Sequence, residues 1–411
     1  MQQTTNETTR ESTHESARGR TRGFFHKTLS FWSSKEHWNQ LPLFYVIYTT
    51  LLALLGYYFI LCFPILFIVS VHNTLMLLPF YPITENLTET LWWITLSIFF
   101  GHISVNILNI DFGAMPGLKI KRKSAGRLFQ LLDDIKAEYP QPKIHQIIIT
   151  EQFELKLVKI PRFGIPIFTH NTMVIGLPLM LTLSPNQFKC LLTREIIQYS
   201  KNRHKFANWF NQLRESWERY RIVLKQRACI GHQVLYGFFT LYSPIYNAIS
   251  LPAHINDELT ADRNALDLVN SDELLSAFQA KLIARLYIEK CFWPEISKFN
   301  CTVSPFSRLY RVAKTALSRN NSETWLQQQN LFVDNTGHDY PSLQQRMENL
   351  GSTSIKLPPD LAQTAADYYF QNHLAKIIGM SDNNWLEKRC NTYGLAHASH
   401  AGNELFNSAV K

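Results

Sequence analysis

The sequence predicts an α+β protein in which a hairpin of two apolar helices precedes a mainly helical domain with a small sheet. Three observations indicate this fold class. The segment from Asn39 to Thr84 contains no Asp, Glu, Lys or Arg, which is typical of a membrane-spanning region. β-branched residues alternate with polar ones between Lys143 and Ile160, as in strands. Several later segments carry apolar residues at the i, i+3, i+4 spacing of helices.

Two apolar segments are long enough to cross a bilayer, which takes about 20 residues. The first covers about residues 41–71 and the second about residues 91–110, with Trp92 and Trp93 where an interfacial aromatic belt would lie. Basic residues precede the first segment and follow the second, but none lies between them. The positive-inside rule therefore predicts an integral membrane protein with both termini and the main domain in the cytoplasm.

Composition excludes several classes of protein. With 411 residues, 46% of them hydrophobic and 18% charged, the chain can bury a substantial core. Its six cysteines form no C-x-x-C pair, so neither a cysteine zinc site nor a disulfide framework is expected. The net charge of +9 comes without a nucleic-acid-binding motif. We therefore expect the membrane, and no nucleic acid, as the partner of the basic residues.

Four regions follow from these patterns. We expect a disordered cytoplasmic tail over residues 1–38, a transmembrane hairpin over 39–111, a main domain over 112–350 and a helical C-terminal extension over 351–411. A third apolar stretch, from Val234 to Pro252, is shorter and contains Pro244. Both a membrane segment and a buried or interface-lying helix stay open for it.

The main domain contains one helix whose start is well marked. Ser184 is a suitable N-cap, Pro185 suits the first helical position, and Gln187 completes a capping box. Along this helix, Glu195 and Gln198 fall on the apolar stripe and Arg194 lies at its border. Polar groups facing a protein interior cost about 1 to 3 kcal/mol each when unpaired, so their placement needs an explanation.

The pentad Arg194-Glu195-Ile196-Ile197-Gln198 has the spacing of H-E-x-x-H, in which two histidines bind zinc and the glutamate activates water. Farther along, Glu258 and Asp262 lie one turn apart on one face of a second helix. The segment from about residue 125 to 350 resembles the membrane zinc-metallopeptidase family of HtpX and the CAAX prenyl protease. Three stretches carry the resemblance: "NTMVIGLPLMLTLSPNQFKCLLTREIIQ", "ELTADRNALDLV" and "DYPSLQQRMENLG".

The resemblance implies a domain of the gluzincin type in a bacterial inner membrane, and the first of these stretches is similar to the family's substrate-edge strand, turn and active-site helix. It assigns a vestigial general base to Glu195, a vestigial third zinc ligand to Glu258 and the orientation of a ligand histidine to Asp262. Arg194 and Gln198 stand where the family has its two zinc-binding histidines, and Tyr340 stands where it has a further histidine.

This departure predicts a protein without zinc, because Arg carries no acceptor and Gln offers only a neutral oxygen. We expect a pseudopeptidase that binds a polypeptide or membrane partner without cutting it. Two alternatives stay open: a zinc endopeptidase of membrane-associated proteins with unusual ligands, and a structural scaffold. Arg194 either pairs with Glu258 and Asp262 in place of the ion or extends to solvent, and the two carboxylates themselves either face the interior or form a solvated helix face.

Overall fold

The structure, a computed structural model, describes ten ranges of the chain: residues 43–77, 87–110, 116–138, 143–162, 165–199, 205–225, 230–299, 303–317, 340–351 and 361–392. The predicted tail over residues 1–38 lies outside these described residues. The helices are α1 Leu43–Leu77, α2 Leu87–Leu108, α3 Gly126–Glu138, α4 Leu177–Thr182, α5 Pro185–Gln198, α6 Lys205–Lys225, α7 Ile230–Ala265, α8 Ser271–Tyr287, α9 Trp293–Ser297, α10 Pro305–Ala316, α11 Leu343–Asn349, α12 Ala365–Phe370 and α13 Leu374–Thr392.

A four-stranded mixed sheet is formed by strands that lie, along the sequence, between the apolar hairpin and α4. Its strands are β1 Leu118–Ile120, β2 Gln146–Thr150, β3 Leu155–Arg162 and β4 Ile165–Gly176, in the order β1-β2-β4-β3. β3 and β4 form an antiparallel hairpin, and β4 also pairs in parallel with β2. The expectation that the strand before the active-site-like helix is the sheet edge is therefore wrong. Because β4 is paired on both sides, it is internal, and the two edge strands are β1 and β3.

One further detail differs from the sequence prediction. The stretch Leu177–Thr182 forms the short helix α4, with Pro178 in its first turn, rather than the turn that the resemblance implies between the strand and the active-site helix. Its six residues are all buried, so packing rather than periodicity decides their conformation. The helices α12 and α13 of the predicted C-terminal extension pack in the same apolar core as the sheet and α5, and the Ala365 N–H donates to the Leu183 carbonyl at 2.7 Å.

The hairpin helices have the predicted length and composition. α1 has 35 residues and α2 has 22, and both are long and apolar enough to cross a membrane. α1 extends beyond the predicted segment to Leu77 and contains Pro64 in its interior. Most of the large apolar side chains on α1 and α2 are not covered by protein, as expected of helices that face lipid.

The helix α7 connects two clusters of buried side chains. Its first part joins α1, α2 and α6 in an aromatic-rich group, called the apolar cluster, with members Ala53, Ile60, Ile103, Ile107, Ile110, Leu213, Trp217, Tyr220, Leu224, Leu235, Phe239, Tyr242 and Tyr246. Its last part carries Glu258 and Asp262 against α5 and α11. The apolar stretch from Val234 to Pro252 is thus part of one 36-residue helix that includes Pro244 and Pro252.

Candidate functional site

The helix α5 begins as the sequence predicts. Ser184 accepts a hydrogen bond from the Gln187 N–H, and the Gln187 side chain accepts one from the Ser184 N–H at 2.9 Å. This capping box fixes the start of the helix and therefore the direction in which its later side chains point. Arg194 and Glu195, near its end, are both buried. The alternative in which Arg194 extends to solvent is excluded by this burial.

Every N–H group of the Arg194 guanidinium has an acceptor. Nε donates to Asp262 Oδ1 at 2.8 Å, and Nη2 donates to Glu258 Oε2 at 2.6 Å and to the Glu258 carbonyl at 3.1 Å. Nη1 donates to Gln198 Oε1 at 3.0 Å and to Glu195 Oε2 at 3.3 Å. Five donors thus meet five acceptors, which is the full capacity of a guanidinium. The arginine occupies the space between the two carboxylates where the family resemblance would place an ion.

Both carboxylates of α7 are buried, so the alternative of a solvated helix face is wrong. Asp262 is completely covered and Glu258 nearly so. Gln198 completes their surroundings, since its Nε2 donates to Glu258 Oε1 at 2.7 Å and to Asp257 Oδ2 at 3.2 Å. The pentad and the second helix, which the sequence places 60 residues apart, therefore meet in one hydrogen-bonded group.

A second arginine, Arg346 on α11, belongs to the same group and was missed by the sequence analysis. Its Nη1 donates to both Asp262 oxygens at 2.6 and 2.5 Å, and its Nη2 donates to Glu258 Oε2 at 2.9 Å. The guanidinium also lies over the Phe278 ring, 4.5 Å from its centroid. One clue was present: Arg346 is the only basic residue of the "DYPSLQQRMENLG" stretch, and two buried carboxylates need more than one cation.

Arg194, Glu195, Gln198, Glu258, Asp262 and Arg346 together are called the charge cluster. Burial by itself would raise the pKa of Glu258, but Arg194 and Arg346 hold it well below its usual value. Burial raises the pKa of Glu195, whose contact with Arg194 only partly offsets the effect. On α8, burial lowers the pKa of Lys281 to about 8, although Glu195 favours its charged form. The pKa values of Glu195 and Glu258 are therefore shifted in opposite directions.

Glu195 also reaches the sheet. Its Oε1 accepts a hydrogen bond from the Leu157 N–H on β3 at 3.2 Å. Because β3 is an edge strand, this N–H would otherwise be open to a further strand. N–H groups of alternate residues point to the same side of a strand, so those of Leu155 and Lys159 point away from β4 as well. Glu195 thus links the charge cluster to the outer edge of β3.

A polar chain extends from the charge cluster toward α6. Asp257 accepts hydrogen bonds from Gln198 at 3.2 Å and from Asn211 Nδ2 at 2.6 Å. The Oδ1 atom of Asn211 lies 3.0 Å from His254 Nδ1, and the His254 ring contacts Tyr340 edge-on. Burial raises the pKa of Asp257 to about 6. Tyr340, where the family resemblance would place a histidine, is mostly exposed.

The residues present do not fit a zinc ion. Neither Arg194 nor Arg346 can ligate a metal, and both Glu258 and Asp262 already accept their hydrogen bonds. Among the described residues, no group of three or more His, Cys, Asp or Glu side chains is arranged to hold a metal. His170 stacks on His145 and His232 contacts the Asn106 carbonyl, both outside the charge cluster. His204 and His338 lie outside the described ranges.

Comparison with known proteins adds no relative. The chain matches no protein-family model, no curated protein and no solved structure. The roles that the family resemblance assigns to Glu195, Glu258 and Asp262 therefore stay predictions. What the structure adds is their proximity, their burial and the two arginines between them.

Proposed function

We propose that this chain is a membrane-anchored, metallopeptidase-like protein that binds polypeptide without hydrolysing it. The observation that carries the proposal is the Arg194 guanidinium, which bonds to Glu258, Asp262, Glu195 and Gln198. Together with Arg346 it supplies two positive charges, equal to the charge of a zinc ion. Unlike zinc, however, two guanidiniums neither bind a water nor lower its pKa toward 7.

The same geometry argues against hydrolysis by Glu195 acting alone. Its carboxylate is engaged by Arg194 and by the Leu157 N–H. A general base needs hydrogen-bond reach to the water that it activates, and peptide hydrolysis also needs a group that stabilises the developing oxyanion. The guanidinium N–H groups of Arg194 are already used by other acceptors.

We propose membrane anchoring through α1 and α2, with the main domain and both termini in the cytoplasm. Support comes from two helices that are long and apolar enough to span and from the basic residues on both flanks of the hairpin. A bacterial inner membrane is the location that the family resemblance implies.

The edge strand β3 is the proposed polypeptide-binding element. An extended peptide can add as a strand to an open sheet edge and gain main-chain hydrogen bonds. Lys159→Pro would remove one outward N–H without disturbing the β3–β4 ladder, whereas Lys159→Ala keeps it. With a fluorescein-labelled unfolded casein as probe, we expect weaker binding by Lys159→Pro than by Lys159→Ala. Equal binding by the two variants would exclude this edge, and no binding by the parent would favour the scaffold.

Zinc content directly tests the proposal that Arg194 replaces a zinc ion in this site. We would measure it by elemental mass spectrometry on the detergent-purified parent, on Glu258→Ala, on Arg194→His/Gln198→His, and on the same double variant with Glu258→Ala. We expect zinc only in the double variant, because it restores two histidines beside a glutamate. Near-equimolar zinc in the parent, lost on Glu258→Ala, would instead identify an active-type metal site and overturn the proposal.

A further inference from the structure

The first half of α1 has a row of uncovered apolar side chains that no described element packs against. The row recurs at helical spacing and is called the α1 stripe; its members are Leu43, Phe44, Ile47, Tyr48, Leu51, Leu54, Leu55 and Tyr58. A second row, the α7 stripe, lies on the first part of α7 and consists of Val234, Gly237, Leu241, Pro244 and Ile245. Leu241, at 74% exposure, is nearly as open as Leu43 and Phe44, the most exposed large apolar residues of the described hairpin.

The two stripes belong to neighbouring helices. Along α1, Tyr45 bonds to the Ile249 carbonyl, the Leu52 carbonyl accepts from Tyr242, and Phe59 stacks on Phe238 at 3.8 Å. The first half of α1 and the first part of α7 therefore run side by side in opposite directions. This contact continues for about 14 residues of α1, or about 20 Å.

The helix α2 pairs with the other half of α1. Ser97 lies beside Thr74, and the Phe67 ring covers Gly101. Near the end of this pairing, Gly231 at the start of α7 contacts Ile103. Residues of α1 before about position 60 thus pair with α7, and later residues pair with α2. The change of partner falls close to Pro64, which removes a backbone hydrogen bond and permits a bend between the two halves.

The length of α1 indicates that only one of its two halves is needed to cross the membrane. The 22 residues of α2 make a helix of about 33 Å, enough to cross the roughly 30 Å hydrocarbon layer. The 35 residues of α1 make about 52 Å. The excess of about 20 Å equals the part of α1 that pairs with α7. That part of α1 is not needed to cross the hydrocarbon layer, yet its exposed side is as apolar as that of the rest of the helix.

Charged groups lie on α6, which packs against the buried face of α7 that carries Ser243 and Tyr246 rather than against the α7 stripe. Glu218 pairs with Arg221, Arg214 donates to the Asn247 carbonyl at 2.6 Å, and Lys225 is exposed at the end of the helix. α6 also contacts β3, so the sheet adjoins the charged helix α6. A unit with one apolar and one basic side suits the boundary between lipid and water.

On the basis of the proposed membrane anchoring, we infer that the α1 stripe and the α7 stripe lie in the cytoplasmic lipid–water interface. Both stripes would contact the shallow acyl-chain region of the cytoplasmic leaflet. The surface that they form is continuous with the lipid-facing sides of the spanning helices. α7 would then connect the charge cluster to the membrane surface, from Glu258 at one end to Gly231 at the other.

Depth-dependent quenching in proteoliposomes tests this inference on the full-length chain. Single cysteines at Leu51 and Leu241, in a background with the native cysteines replaced, would carry an environment-sensitive fluorophore. Ile98→Cys on α2 provides a control within the span, and Arg285→Cys on α8 provides an aqueous control. Quenchers are iodide in water and doxyl groups at carbon 5 or carbon 12 of the lipid chain.

We expect at least twofold stronger quenching of positions 51 and 241 by the carbon-5 than by the carbon-12 quencher. Iodide quenching alone would overturn the inference, and so would protection from all three quenchers, which would indicate cover by protein such as a second copy. Stronger carbon-12 quenching at position 241 would overturn it as well, because α7 would then insert deeply. If Ile98→Cys is quenched by iodide alone, the membrane anchoring itself fails.

Discussion

The two ends of α7 carry buried groups of opposite chemistry. In the apolar cluster, Trp217 stacks on Phe239 and contacts Tyr242, and dispersion and burial stabilise the packing without strict direction. In the charge cluster, each N–H of Arg194 has one acceptor at a fixed distance. Apolar packing tolerates substitutions that keep volume, whereas a buried ion network fails when one partner is removed. The comparison predicts unequal responses to mutation at the two ends.

The largest effect is expected for Arg194→Ala. Removing this guanidinium leaves Glu258 with Arg346 as its one paired arginine and deprives Asp262 of one donor, at a cost of about 3 to 5 kcal/mol. Chemical unfolding of the detergent-solubilised protein measures the change. Arg285→Ala is the matched control, because Arg285 pairs with Glu289 on an exposed helix surface and such pairs contribute about 0.5 kcal/mol or less. Equal unfolding midpoints for both variants would show that the network adds no stability.

Conservative substitutions separate the two clusters further. Arg194→Lys keeps the charge but offers three donors in place of five, so at least one buried acceptor loses its partner, at a cost of about 2 kcal/mol. Phe239→Leu in the apolar cluster exchanges one apolar side chain for another and should cost about 1 kcal/mol. Unfolding curves of the two variants decide the order. A larger loss for Phe239→Leu would contradict the distinction drawn between directional and non-directional packing.

A pH dependence should come from the polar chain beside the charge cluster. Burial raises the pKa of Asp257 to about 6, compared with about 3.9 in an unfolded chain. The folded state then binds more protons than the unfolded state between these values. Stability should therefore fall as the pH rises from about 4 to about 6, by roughly 2 kcal/mol.

The variant Asp257→Asn should reduce that slope, because the amide does not titrate and its oxygen can still accept from Asn211 and Gln198. Burial also raises the pKa of Glu215, to about 7, and its part of the slope should stay. Unfolding midpoints measured at intervals from pH 4 to 7 provide the test. Asp134→Asn, at an exposed position of α3, is the control and should keep the parent's slope. A slope unchanged in Asp257→Asn would mean that another group is responsible.

The sequence predicts the helix hairpin, the capped helix α5 and the side on which Glu258 and Asp262 lie, because these depend on local composition and periodicity. It does not predict that β4 is internal, since strand order depends on pairing between distant segments. Arg346 could not be assigned to the charge cluster either, as its partners lie 84 and 88 residues away. The conformation of Leu177–Thr182 is decided by burial on all sides, which leaves no periodicity to read.

The smallest effect on stability is expected for Glu195→Gln, and its comparison with Glu258→Gln tests the charge assignment within one site. The pKa of Glu258 is lowered by Arg194 and Arg346, so its charged form stabilises the fold above about pH 4.3. Burial raises the pKa of Glu195, so its charge opposes folding at neutral pH. An amide at position 195 can still accept the Leu157 N–H. Glu195→Gln should therefore change the free energy of unfolding by less than about 1 kcal/mol, against about 3 for Glu258→Gln. If the two variants lose equal free energy of unfolding at pH 7, the two carboxylates stabilise the fold equally. The proposed difference between Glu195 and Glu258 is then wrong.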